Sequence, residues 1–417
     1  MQKFLIKGGR PLKGEVTVSG SKNATLPILC ASLLTNQKIT LENVPDIADV
    51  HSMLEIFHSI GVSTTFKKNR VTIDSSKLKN KKIPDDLVCK MRASILILGA
   101  LLPRFGEIDI AFPGGCVLGK RNVSAHTHAF RALGCKVLDE ANRLHIKVTK
   151  LKGAKIILPE SSVTATENAI MAAVLATGKT EIRLAAAEPH VQDLCHFLNK
   201  MGAKISGIGT TNIEITGVKS LHGATHKITG DYLEAGTFAI AAAATKGEIK
   251  IKGIDPEHLD IFWQKFSELG VKFSLGKDFV HIFPSRELNS IRTLQTAVYP
   301  GFPTDLQAPF TVLLTQAAGV CKVFETLFEG RLNYLFELEK MGARVELLNP
   351  HQALVIGPRK LKGIPIASID IRAGAAMVIA ALIADGKTEI SNIDYIDRGY
   401  ESIDKKLRSL GADITRL

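Results

Sequence analysis

No stretch of about 18 uncharged apolar residues occurs in this 417-residue chain, so it offers no candidate for a membrane-crossing helix. The N-terminal run MQKFLIKGGRPLKG has no long apolar segment behind its charges and no small-residue cleavage site, and is not expected to be a signal peptide. Cysteine is scarce. The six residues Cys30, Cys89, Cys116, Cys135, Cys195 and Cys321 lie far apart with no C-x-x-C pair. That argues against a zinc site and a disulfide framework, and favours a reducing, cytoplasmic compartment. There is one Trp, and the lysine-rich stretch of Lys67, Lys68, Arg70, Lys77, Lys79, Lys81 and Lys82 has no interleaved aromatics. The net charge of +12 therefore reads as solvated surface rather than as a nucleic-acid face. Part of it remains available to a small polyanionic substrate.

What is present is a packed globular composition, 45% hydrophobic and 23% charged. The length suits two or three domains. An apolar helical pattern ending in Gly recurs at Gly61, Gly134, Gly202, Gly270, Gly342 and Gly411, with spacings of 73, 68, 68, 72 and 69 residues. A second marker, a Gly before a short β-like run, precedes most of them: GEIDI at Gly106, GKTEI at Gly178, GEIKI at Gly247, GVCKV at Gly319 and GKTEI at Gly386. The first unit carries TNQKITL in its place. Each unit reads as an Ala-rich helix, a strand, an amphipathic helix, then Gly and two further strands. The class is α/β, with six units of about 70 residues and, grouped three and three, two similar domains with a cleft between them.

The loops before the Ala-rich helices place Lys22, Arg92, Thr164, Glu234, Asp305 and Arg372 at comparable positions. Cys116, Arg121, Arg331 and Arg398 lie in the second loops of their units. Helix N-termini favour anions through their free N–H groups and dipole, so basic residues gathered there point to an anionic ligand.

Individual motifs are less decisive. Gly114, Gly119 and Lys120 fit a P-loop spacing, but Arg121 stands where Ser or Thr would hold Mg²⁺. The paired glycines before Cys116 suggest a mobile loop carrying a thiol, made more reactive by Lys120 and Arg121. His126 and His128 lack third and fourth metal ligands and read as surface or polar-contact residues. Asp305, after a Pro, reads equally as a helix N-cap. Asp370 with Arg372 reads as a strand-end ion pair, and Arg398 as a helix-start charge.

Taken together, GSKNATLPIL, KMRAS, PGGC with GKR, GTF, GFPTDLQA, ETLFEGR, DIRAGAA and IDYIDRGYE resemble the UDP-N-acetylglucosamine 1-carboxyvinyltransferase family, from near residue 6 to the C-terminus and in the family's order. The resemblance implies a two-domain inside-out α/β barrel of βαβαββ-type repeats, three per domain. It places residues 22–229 in one domain with the Cys116 lid loop and 1–21 plus 230–417 in the other, the active site lying in the cleft. It implies enolpyruvyl transfer from phosphoenolpyruvate to the sugar 3-hydroxyl, a step in peptidoglycan precursor synthesis, with no metal or organic cofactor and no nucleic-acid or membrane partner.

By the same resemblance Lys22, Asn23, Arg121, Arg331, Arg372 and Arg398 bind phosphoenolpyruvate, and Cys116, Asp305, Asp370, Lys22 and Arg398 are the catalytic residues. Arg92, Arg121, Val123, Ser124, Ser162, Val163, Asp305 and Leu327 face the UDP-sugar. Cys116 corresponds to the general acid, Asp305 to the residue contacting the sugar 3-hydroxyl. The chain departs from the family pattern at Asn122, Ser124, Ala125 and Thr164. The nearest alternative is the shikimate-pathway enolpyruvyl transferase, which lacks the cysteine-bearing lid; a non-catalytic basic binding protein of the same fold is the other.

Overall fold

Six segments rich in Ala, Leu and Ile have no polar stripe to turn toward water, and helices that are apolar all round must be enclosed. In the computed structural model, which describes residues 2–114, 123–140 and 142–417, they form the helices Lys22–Ala31, Ile97–Phe105, Val163–Ala173, Tyr232–Ala244, Thr304–Leu314 and Ile371–Ile383. Every residue of Tyr232–Ala244 is buried. The described chain divides into two compact units, one of residues 2–19 with 230–417, the other of 20–114, 123–140 and 142–229.

Within the first unit, the Tyr232–Ala244, Thr304–Leu314 and Ile371–Ile383 helices pack on one another. Within the second, Ile97–Phe105 packs on both Lys22–Ala31 and Val163–Ala173. Each unit adds three sheets, and five of the six share one pattern. In Lys155–Ile157, Lys179–Arg183, Asn212–Thr216 and Lys204–Ser206, the first pair is parallel and the next two are antiparallel. Ile182 faces Ile156 on one side and Ile213 on the other, so one face of the sheet is buried isoleucine. The sixth sheet, Glu107–Ala111, Arg143–Lys147 and Lys136–Glu140, has three strands; residues 81–83, in the place of its parallel strand, stay irregular. The result is helices inside and open sheets outside, with no closed barrel of strands among the described residues.

Strand pairing also explains the split chain. Phe4–Lys7 inserts between Lys387–Ser391 and Asp413–Arg416, and Lys13–Thr17 runs parallel to Glu248–Lys252. Thr225–Lys227 returns to pair with Ile39–Glu42. All six glycines of the first sequence marker close an outer helix at positive φ, from 85° to 98°. The second marker holds differently at Gly247: Lys246 takes the left-handed turn at φ 54°, and Gly247 is required because a Cβ would lie 2.2 Å from the Leu12 carbonyl oxygen.

Candidate active site

Lys22, Thr164, Glu234, Asp305 and Arg372 lie within the first three residues of their inner helices, and Arg92 opens the 3-10 turn Arg92–Leu96 ahead of Ile97–Phe105. In the unit containing residues 230–417, Asp305 is the second residue of its helix and Arg372 the second of the next. Arg331 opens the 3-10 turn Arg331–Tyr334. Arg372 Nε donates to Asp305 Oδ2 at 3.0 Å, and Arg331 Nη2 donates to Asp305 Oδ1. Both arginines are 4% exposed, whereas the Asp305 side chain is 26% exposed. Burial opposes ionisation of Asp305, but the Arg372 and Arg331 guanidinium charges outweigh it and hold the carboxyl well below the usual range. Burial likewise works against both guanidinium charges and is overcome, for Arg331 by Asp305, Asp370 and Glu325, and for Arg372 by Tyr400, Asp305 and Asp231.

Each guanidinium is stacked as well as paired. Arg372 lies 5.2 Å from the Tyr400 ring centre and Arg331 lies 5.5 Å from that of Phe328. The Tyr400 hydroxyl is hydrogen-bonded to Thr237 Oγ1 at 3.0 Å. Two N–H groups remain: Arg331 Nε and Arg372 Nη1 are buried without a partner. An unpaired buried donor costs about 1–3 kcal/mol, more when charged. Both belong to the guanidinium groups that flank the Asp305 carboxylate.

The plain local alternatives to a catalytic role are an N-cap for Asp305 and an ion pair for Asp370, and the structure exchanges those parts. Pro303 occupies the cap position before Asp305, and makes no side-chain cap bond. Asp370 is the cap, its Oδ1 accepting from Arg372 N at 2.7 Å and Ala373 N at 2.8 Å. A cap this close fixes the backbone from which Arg372 projects. Arg398 does not start a helix; it is half-buried at the C-terminal end of Asp394–Asp397. Leu327 is exposed, and its backbone is held by Glu325, which accepts from Leu327 N at 2.9 Å and from Thr304 Oγ1 at 2.8 Å. Glu325 thus ties the Arg331 loop to the helix of Asp305, a role invisible in ETLFEGR. The third helix start is structural: buried Glu234 accepts from Lys406 Nζ at 2.6 Å and from Ser19 N at 2.7 Å.

In the other unit Lys22 opens its helix behind a Ser21 cap and pairs with buried Asp49 at 2.7 Å. Asn23 beside it is half-buried, as are Arg92, Ser162 and Val163; Val123 is buried and Ser124 exposed. His126 is buried and makes polar contacts on both ring nitrogens, whereas His128 is exposed. No group of three His, Cys, Asp or Glu among the described residues stands where it could hold a metal ion. Cys116, Lys120, Arg121 and Asn122 lie outside the described residues.

Residues 6–407 match the EPSP synthase (3-phosphoshikimate 1-carboxyvinyltransferase) family. The chain is 43% identical to a UDP-N-acetylglucosamine 1-carboxyvinyltransferase from Borrelia garinii subsp. bavariensis, and 42% identical to one from Borreliella burgdorferi. Both alignments cover 100% of this chain and 99% of the relative. Among solved structures it is similar to the enolpyruvyl transferase NikO from Streptomyces tendae, with TM-score 0.90, 25% identity and coverage of 100% and 99% of the two chains. The fold is also that of an EPSP synthase from Acinetobacter baumannii, with TM-score 0.76, 20% identity and full coverage of both chains. The chain belongs to the enolpyruvyl transferases and, within them, to the UDP-N-acetylglucosamine 1-carboxyvinyltransferase family.

Proposed function

We propose that this enzyme transfers the enolpyruvyl group of phosphoenolpyruvate to the 3-hydroxyl of UDP-N-acetylglucosamine and releases inorganic phosphate. The observation that carries the reading is the pair of buried, unpartnered guanidinium N–H groups flanking Asp305. Phosphoenolpyruvate carries roughly three negative charges near neutral pH, and removing water from them is tolerable only where several cations replace it. Arg331 and Arg372 supply two, each with an N–H to give; Lys22, Arg121 and Arg398, with Asn23, complete the binding set.

The reaction is an addition followed by an elimination. The sugar 3-oxygen bonds to C2 of phosphoenolpyruvate, its proton passing to Asp305, while Cys116 delivers a proton to C3. The tetrahedral product then loses a proton from C3, the C2–O bond to phosphate breaks, and the phosphate leaves with the bonding pair. Such proton transfers are typically worth about 10²–10⁴ in rate each.

Asp305, held ionised by two arginines, is a weak base as it stands. An anionic substrate sharing those arginines offsets their charge and raises the basicity of Asp305 at the moment a base is needed. Asp370 contributes as a cap that aims Arg372, in addition to any proton it moves. Arg92, Val123, Ser124, Ser162, Val163 and Leu327 provide the UDP-sugar surface, and no metal or organic cofactor takes part. The protein works in the cytoplasm, where its nucleotide sugar and phosphoenolpyruvate are found. Mass spectrometry of the nucleotide product tests the reading: the account requires UDP-N-acetylglucosamine bearing one added enolpyruvyl group, and unmodified sugar after phosphate release refutes it.

A further inference from the structure

Three helix starts in the unit of residues 20–229 are tied together by one buried side-chain chain. Asn168 Nδ2 donates to Ile95 O at 3.0 Å and to His126 Nδ1 at 2.9 Å, and Asn168 Oδ1 accepts from Gly99 N at 2.9 Å. With Nδ1 used as an acceptor, the imidazole proton sits on Nε2, which donates to Thr164 Oγ1 at 3.1 Å. The chain is enclosed at Asn168 and His126 and ends on half-buried Thr164. Gly99 has no room for a Cβ, which would lie 2.7 Å from Asn168 Oδ1. His126 is 2% exposed and Asn168 is 0% exposed.

The elements joined are the Arg92–Leu96 turn with the helix that follows it, the Ser124–Ala132 helix, and the Val163–Ala173 helix. Those segments carry Arg92, Val123, Ser124, Ser162 and Val163, which the proposed function assigns to the UDP-sugar. Ser162, at the cap position before Val163, makes no side-chain cap bond. The start of that helix is held by Thr166 Oγ1, which donates to Ser162 O at 2.8 Å and accepts from Ala186 N at 3.0 Å, and by the contact of Thr164 with His126.

We propose that His126 and Thr164 are positioning residues for the acceptor: the Nε2–H of His126, aimed by Asn168, holds Thr164 Oγ1 and sets the Ser162–Val163 turn against the Val123–Ser124 turn at the spacing a nucleotide sugar needs. The inference rests on the proposed function. Burial, reinforced by the charge of Arg92, pushes the His126 imidazole down to about 3. The ring is neutral at any working pH, so the tautomer and the bond to Thr164 do not titrate away.

Thr164→Val keeps the shape of the side chain and removes its acceptor, leaving the His126 donor unpaired. Its Michaelis constant for UDP-N-acetylglucosamine should rise about tenfold, with that for phosphoenolpyruvate moving less than about twofold, and Thr164→Ser should recover most of the loss. A purely structural role would weaken both substrates together and would follow the melting temperature rather than the hydroxyl. An unchanged acceptor constant in Thr164→Val, an equal rise for both substrates, or no recovery in Thr164→Ser overturns the inference. If Thr164→Val does not fold, Thr164→Ala serves in the same comparison. Failure of the wild-type enzyme to turn over the UDP-sugar is a separate result, and sinks the proposed function and this inference with it.

Discussion

Arg372 and Asp305, 67 residues apart in sequence, meet at 3.0 Å between the starts of adjacent inner helices. The pair keeps Asp305 anionic against its burial, and this has a consequence for pH dependence. In the wild-type enzyme Asp305 titrates below the usual carboxylate range, so it adds no acid limb to kcat/KM above about pH 4. Arg372→Gln keeps a donor but removes the charge. The folded-state value of Asp305 in the free enzyme then rises, and the acid limb of kcat/KM should move to higher pH. A limb that stays in place means Arg372 does not control this carboxyl.

Asp305 itself is expected to be indispensable. Asp305→Ala leaves two buried guanidinium groups without their counter-ion and removes the acceptor of the sugar proton. Turnover should fall by about 10²–10⁴. Near wild-type turnover would remove Asp305 from the chemistry.

Lys22 and Asp49 form a pair whose side chains are 10% and 6% exposed. Removing one partner from a buried ion pair typically costs about 3–5 kcal/mol. Asp49→Ala should therefore lower the free energy of unfolding, measured by urea titration, far more than the exposed Glu55→Ala, whose partner is Lys90. Equal effects would show that the Lys22 pair contributes no more than a surface bridge.

Glu167 is fully buried, and burial, then the nearby Glu188 charge, raises its carboxyl well above the usual value. The folded state therefore keeps a proton that the unfolded chain gives up near pH 4.3. Its contribution to stability is full below that pH and is lost as pH rises toward the folded-state value. Glu167→Gln should leave melting unchanged near pH 4 and raise it at pH 8, by about 2–4 °C for each kcal/mol regained. The same melting difference at both pH values would contradict a protonated Glu167.

The thiols separate by burial. Cys30, Cys135, Cys195 and Cys321 are buried, and burial pushes the last three up to about 12, so they should resist alkylation in the native protein. Cys89 is exposed and should label with iodoacetamide. Fosfomycin, by contrast, should modify Cys116 alone, and Cys116→Ser should lose both that adduct and most turnover. A fosfomycin adduct on Cys89, or full sensitivity in Cys116→Ser, would show that the catalytic thiol is another one.

The sixfold framework was legible because its punctuation is local: a Gly is needed wherever an outer helix turns back at positive φ, and those six glycines keep a period near 70. The α/β order follows from hydrophobic periodicity alone. What sequence could not reveal were relationships between distant side chains. The exchange of parts between Asp305 and Asp370 depends on where Arg331 arrives, 26 residues after Asp305. Asp49 as the partner of Lys22, Glu325 as the anchor of the Arg331 loop, and the chain from Asn168 through His126 to Thr164 are all tertiary. His126 illustrates the point: an H-x-H pair says nothing of burial, and its two partners lie 38 and 42 residues away.

The most direct test of the account is phosphate release from phosphoenolpyruvate by the purified protein with each candidate acceptor. Release with UDP-N-acetylglucosamine, absent with shikimate 3-phosphate and abolished in Asp305→Ala, is the predicted result. Release only with shikimate 3-phosphate, or with neither acceptor, would contradict it.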